Sequence, residues 1–126
     1  MEPSEQSVEA LYATGHWLLS ANRFADAAIV FRLMAVTSPA DERGWLALGT
    51  CHEGIGQHKI ATSLYEIAVA VAAPALRCTI ARARSLRALG HDDEATQALE
   101  EVRDVASDRG DDDILAMVEH ELRGFL

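Results

Sequence analysis

Apolar residues recur along most of this chain at intervals of three and four, the spacing that gathers them on one side of an α-helix. Short polar or proline- and glycine-bearing breaks separate the runs, at Asn22-Arg23, Ser38 to Asp41, Gly54 to Gln57, Ala73-Pro74, Gly90-His91 and Asp108 to Gly110. The first helix is expected to start near Ser4 or Ser7, either of which caps exposed N–H groups, with Glu5 or Glu9 near the positive end of the dipole, and to run to about Ala21. A second covers Phe24 to Val36, with Phe24, Ala27, Ala28, Phe31 and Ala35 on one stripe. Proline disfavours helix in the residue before it, so the run breaks at Ser38-Pro39 and Asp41 caps a third helix over about 41–54. The fourth covers about His58 to Ala72, with Ile60, Ala61, Leu64, Tyr65 and Ala68 marking one face. The fifth, about 75–89, buries Leu76, Ile80, Ala83 and Leu86 and is closed by Gly90 at positive φ. Asp92 is expected to cap the sixth, about 92–107, with Ala95, Leu99 and Val102 inside. Asp111, Asp112 and Asp113 crowd the start of a seventh, whose stripe is Ile114, Val118, Leu122 and Phe125. The fold class is all-α.

A shift of 34 residues superposes the pattern on itself. Gly15, Gly49 and Ala83 fall in phase, as do Ala27, Ala61 and Ala95, then Phe31, Tyr65 and Leu99; Gly56 falls on Gly90, and Pro39 and Pro74 are one residue out of phase. In the second unit Trp45, Leu48 and Gly49 stand at the spacing W-x2-L-G, and Ala61 with Tyr65 at the spacing A-x3-aromatic. A small residue is needed where two helices cross, because a larger side chain would hold their axes apart, and Gly49 and Ala61 meet that need beside the bulky Trp45 and Tyr65. These positions resemble the tetratricopeptide repeat, a helical hairpin. The resemblance implies one domain over 1–126, with three tandem hairpins at about 8–40, 41–74 and 75–108. A capping helix at 111–125 would cover the open apolar end of the stack. The stack would curl as a right-handed superhelix around a concave groove.

Composition narrows the function. Hydrophobic residues make up 49% of the 126, enough for a core, and no stretch reaches the roughly 20 apolar residues a membrane span needs. The acidic, polar start Met1 to Gln6 does not read as a signal peptide, which points to a cytoplasmic protein. Up to residue 91 acids and bases balance, and the whole net charge of −9 lies beyond it, which argues against nucleic-acid binding. Cys51 and Cys78 fall in helices of different repeats, and two buried reduced thiols are expected.

Catalytic readings fail on spacing. In His52-Glu53 the second histidine of H-E-x-x-H would fall at Gly56. Gly54-x-Gly56 lacks a third glycine and follows a helix, so it implies no phosphate cradle. His91-Asp92-Asp93 is explained as a helix cap. No catalytic site, metal or cofactor is expected.

The runs Leu11-Tyr12, Asn22 to Phe31, Trp45 to Cys51 and Gly56 to Ala61 resemble, over about residues 10–105, the class II chaperones of bacterial type III secretion, which hold hydrophobic translocator proteins before export. The resemblance implies a non-enzymatic chaperone with a secreted client, either a translocator or, as in related small repeat proteins, the needle subunit. It leaves open a generic interaction scaffold and association as a homodimer or heterodimer; no nucleic-acid or membrane partner is expected.

In such a stack the first helix of each hairpin lines the groove. Counting from Trp45, the inward positions are Tyr12, His16 and Leu19 in the first unit. They are Arg43, Leu46, Thr50 and Glu53 in the second, and Arg77, Ile80, Arg84 and Arg87 in the third. Tyr12, Leu19, Leu46 and Ile80 are expected to take side chains of an extended peptide. The arginines have two expected roles, pairing with a client's carboxylates or with the protein's own acidic C-terminal helices. A clamp for a free C-terminal carboxylate is disfavoured, because Lys59 lies on an outward helix and Asn22 in a turn.

Overall fold

The computed structural model describes residues 4–125. Its helices are α1 (Glu5–Ser20), α2 (Phe24–Thr37), α3 (Glu42–Gly54), α4 (His58–Val71), α5 (Leu76–Ala88), α6 (Asp92–Arg109) and α7 (Asp112–Arg123), and the described residues contain no strand. Each helix packs against the next in sequence, and α3 also meets α1 and α5, while α5 meets α7. Hairpins α1–α2, α3–α4 and α5–α6 therefore stand side by side, with α7 closing the far end.

Three helices start on side-chain caps. Ser4 accepts from the Ser7 amide at 3.0 Å, Asp41 from the Arg43 amide at 3.1 Å, and Asp111 from the Ile114 amide at 3.1 Å. The turns inside the hairpins work differently and repeat every 34 residues. Asn22, Gly56 and Gly90 adopt φ of 57°, 78° and 83°, a left-handed conformation that glycine reaches without a Cβ penalty and asparagine at little cost. The residue after each closes the preceding helix: the amides of Arg23, Gln57 and His91 donate to the carbonyls of Leu18, His52 and Leu86 at 3.0, 2.9 and 2.8 Å. The cap position of α6 is accordingly His91, with no side-chain bond. Asp92 is the first helical residue, and with Asp93 and Glu94 it acts on the dipole in the first turn.

The crossing of each hairpin pairs a small residue with a large one. A Cβ built on Gly15 falls 2.5 Å from Phe31, and one on Gly49 falls 2.2 Å from Tyr65, so both positions need glycine. In the third hairpin Ala83 and Leu99 are buried in one cluster, where the less bulky leucine goes with a methyl group. Phe31, Tyr65 and Leu99 are all 0% exposed.

The buried arc of α4 departs from expectation. Ile60 is 45% exposed and Thr62 is buried. Ile60 stands five residues before Tyr65, about 140° round the helix at about 100° per residue, so it points off the packed face. Thr62 fits inside because its hydroxyl donates to the His58 carbonyl at 2.8 Å. At the far end Ile114 and Val118 of α7 are buried against α5 and α6, with Leu122 and Phe125 packed half-buried beside them. Cys51 and Cys78 are buried and unpaired, and burial pushes the Cys51 thiol up to about 11. Among the described residues no helix is long and apolar enough to cross a membrane.

Candidate binding groove

The first helices of the hairpins bring most of the predicted inward positions together. Tyr12, His16 and Leu19 of α1 and Arg43, Leu46 and Thr50 of α3, with Ala47, line a hollow of about 140 Å³. Its wall is an aromatic cluster. The Tyr12 and His16 rings meet edge to face at 4.4 Å, and the Phe31 ring backs both, at 6.4 Å from Tyr12 and 5.7 Å from His16. The Thr50 hydroxyl donates to the Leu46 carbonyl at 2.8 Å, so its proton is already committed.

Arg43 fixes the rim of this hollow. Its guanidinium carbon lies 4.6 Å from the Tyr12 ring centre. Its nitrogens reach Asp41 at 2.7 and 3.0 Å and Glu9 at 2.6 and 3.2 Å. These bonds hold the Glu9 and Asp41 carboxyls below their ordinary pKa and raise that of Arg43.

The next junction, between α3 and α5, is also bridged. Glu53 accepts from Arg84 Nε at 3.0 Å and from Arg84 Nη2 at 3.1 Å, and the buried Tyr65 hydroxyl donates to the same carboxylate at 2.6 Å. Burial, with the neighbouring Glu53, pushes the Tyr65 pKa up. Burial opposes the charge on Arg84, but Glu53 outweighs it and the Arg84 pKa is raised. Arg84 also lies 3.8 Å from Glu121 of α7, and Arg87 donates to Glu121 at 3.1 Å. Arg87 is thus paired with the acidic C-terminal helix, the second of its two expected roles, whereas Arg84 pairs chiefly with Glu53 of α3, a partner the sequence reading did not name.

Beyond that bridge Ile80 and Arg84 of α5 meet Ala116, Met117, His120 and Glu121 of α7 around a hollow of about 320 Å³. Ile80 is only 1% exposed and forms its floor. Arg77 lies at the margin, 3.5 Å from the Met117 sulfur. Sequence reasoning missed the four α7 residues because it gave that helix only a capping stripe. The signal was present in Asp113, Ala116, Met117 and His120, a second face at helical spacing.

A stack of paired helices with a lined trough on its first-helix side is the tetratricopeptide class of architecture, and the chain has that all-helical fold. Solved structures of the same shape include type III secretion chaperones. The chain is similar to the translocator chaperone SycD of Yersinia enterocolitica, with a TM-score of 0.87 and 23% identity over 96% of this chain and 91% of that one. PcrH from Pseudomonas aeruginosa gives a TM-score of 0.84 and 24% identity over 97% and 93%. SycD in complex with a peptide of the translocator YopD gives 0.76 and 22% over 98% of each chain. No protein-family model and no curated protein matches the sequence. At these identities the likeness establishes the fold.

Proposed function

We propose that this protein is a cytoplasmic type III secretion chaperone that holds an apolar segment of a translocator in its concave groove and so prevents aggregation or premature assembly before export. It works by binding, without catalysis. The observation that carries this reading is the hollow between α1 and α3, where Tyr12, Leu19 and Leu46 form an apolar surface on a rigid, ion-paired frame. Such a surface suits alternate side chains of an extended peptide. The fold likeness supports the translocator as client over a needle subunit or a general scaffold. PcrH has been solved with the chaperone binding regions of PopB and of PopD, and SycD with a YopD peptide.

An occupied groove would stabilise the chaperone by mass action. The test is co-expression with a candidate translocator client, followed by pull-down. The unmodified chain retains the client, and Tyr12→Glu and Leu46→Glu lose it while keeping their helical circular dichroism. Retention by both variants would overturn the groove assignment.

A further inference from the structure

We infer that the hollow where the starts of α5 and α7 meet the loops between hairpins binds a carboxylate on a short apolar stem, with Arg77 and Arg109 as its cationic walls. The hollow encloses about 260 Å³. It shares no residue with the α1–α3 hollow, and the proposed client groove does not use it.

The internal repeat exposes the site. Two periods carry Glu9 onto Arg77, Asp41 onto Arg109 and Arg43 onto Asp111, so every charge at the first junction is inverted at the last. At the first junction the single base is satisfied, because Arg43 holds Glu9 at 2.6 Å and Asp41 at 2.7 Å. The last junction stays open. Asp111 accepts from the Ile114 amide at 3.1 Å, and among the described residues neither Arg77 nor Arg109 forms an ion pair, whereas Arg23, Arg43, Arg82, Arg84 and Arg87 all do. Arg77 reaches only the Met117 sulfur, at 3.5 Å, a weak acceptor. The other acid in the wall, Glu42, accepts from the Cys78 amide at 3.5 Å.

Both carboxylates of the hollow are thus turned to backbone amides, while both guanidiniums keep their donors. A guanidinium is a planar fork of N–H groups that matches a carboxylate, so an incoming acid supplies at this junction what Glu9 and Asp41 supply at the first. The remaining wall sets the rest of the ligand. Ala72, Pro74 and Leu76 give it an aliphatic surface, which suits a short apolar stem and offers nothing to a bare inorganic ion. That chemistry belongs to an acidic side chain of a peptide, or to a peptide's free C-terminus behind an apolar last residue. Arg77 and Arg109 are exposed, so salt screens the contact.

Arginine side-chain NMR reads the site directly, because Arg77 and Arg109 line it while Arg43 and Arg82, ion-paired elsewhere, serve as controls. The probes are short acetylated serine-glycine peptides at low ionic strength. One carries a central glutamate and an amidated end, one a central glutamine and an amidated end, and one a central glutamine and a free C-terminal leucine. At least one of the two carboxylate peptides is expected to bind about tenfold more tightly than the amidated glutamine peptide. It shifts the Nε–H signals of Arg77 and Arg109 and leaves those of Arg43 and Arg82 in place. The tighter of the two tells a side-chain carboxylate from a C-terminal one, and inorganic phosphate binds more weakly than either. Arg77→Gln and Arg109→Gln, at exposed positions, each remove the difference while keeping the helical circular dichroism. Equal binding of all three peptides, phosphate binding as tight as the better peptide, or binding that persists in the Arg77→Gln, Arg109→Gln double variant would overturn the site.

Discussion

Arg87 of α5 grips Glu121 of α7 twice, donating to its backbone carbonyl at 2.8 Å and to its carboxylate at 3.1 Å, with the Phe125 ring 4.9 Å from the guanidinium carbon. The two residues stand 34 apart, as do Arg43 and Glu9 at the other end of the groove. Hydrogen bonds to charged groups contribute about 1.5–3 kcal/mol, so Arg87→Ala should lower stability to urea by about that much. Arg87→Lys should recover less than half, since an ammonium cannot make the forked contact. Hydrogen exchange should show the amides of 112–123 losing protection first. Equal loss of protection along the chain would show that Arg87 is not what holds α7.

The Gly49–Tyr65 crossing predicts a coupled pair. Gly49→Ala places a methyl group against the Tyr65 ring and should cost about 1–3 kcal/mol by overpacking. Gly49→Leu should unfold the protein. Combining Gly49→Ala with Tyr65→Leu recreates the pairing of Ala83 with Leu99, and the double variant should be more stable than the sum of the single effects by about 1 kcal/mol or more. Additivity in a denaturation cycle would contradict the packing account.

Crossings and hairpin turns were legible because one residue type at one position fixes each. Gly15 and Gly49 can be nothing larger, and Asn22, Gly56 and Gly90 mark the left-handed turn. Ile60 misled because an apolar residue at the edge of a stripe looks the same whether it faces in or out. The bridges Glu9–Arg43, Glu53–Arg84 and Arg87–Glu121 join helices from different hairpins, so no local spacing announces them. Met117 and His120 were hidden for a similar reason, since α7 presents two faces at helical spacing and the stronger apolar stripe masks the other.

Acid should weaken the first junction. Arg43 holds the Glu9 and Asp41 carboxyls below their ordinary values in the folded state. The stability these contribute is therefore complete above the unfolded carboxylate range and is lost as pH falls through the lower folded values. The stability difference between the unmodified protein and Arg43→Gln should be greatest near neutral pH and shrink below about pH 4. A difference that is constant from pH 7 to pH 3 would show that the Arg43 bonds contribute little.

Ser85 of α5 is 0% exposed and its hydroxyl has no hydrogen-bond partner among the described residues. An unpaired buried polar group costs about 1–3 kcal/mol. Ser85→Ala removes it with little change in volume and should raise the midpoint of thermal unfolding; a lowered midpoint would mean that the hydroxyl has a role in the fold.

The groove itself is tested most directly by photo-crosslinking from two positions in the protein co-expressed with the translocator client that pull-down identifies. A photoreactive residue at Thr50 lies in the α1–α3 hollow, whereas one at Leu33, 52% exposed on α2, lies outside it. A client seated in the trough crosslinks from position 50 and not from position 33. Crosslinking from position 33 alone would place the client on the outer helices and contradict the account.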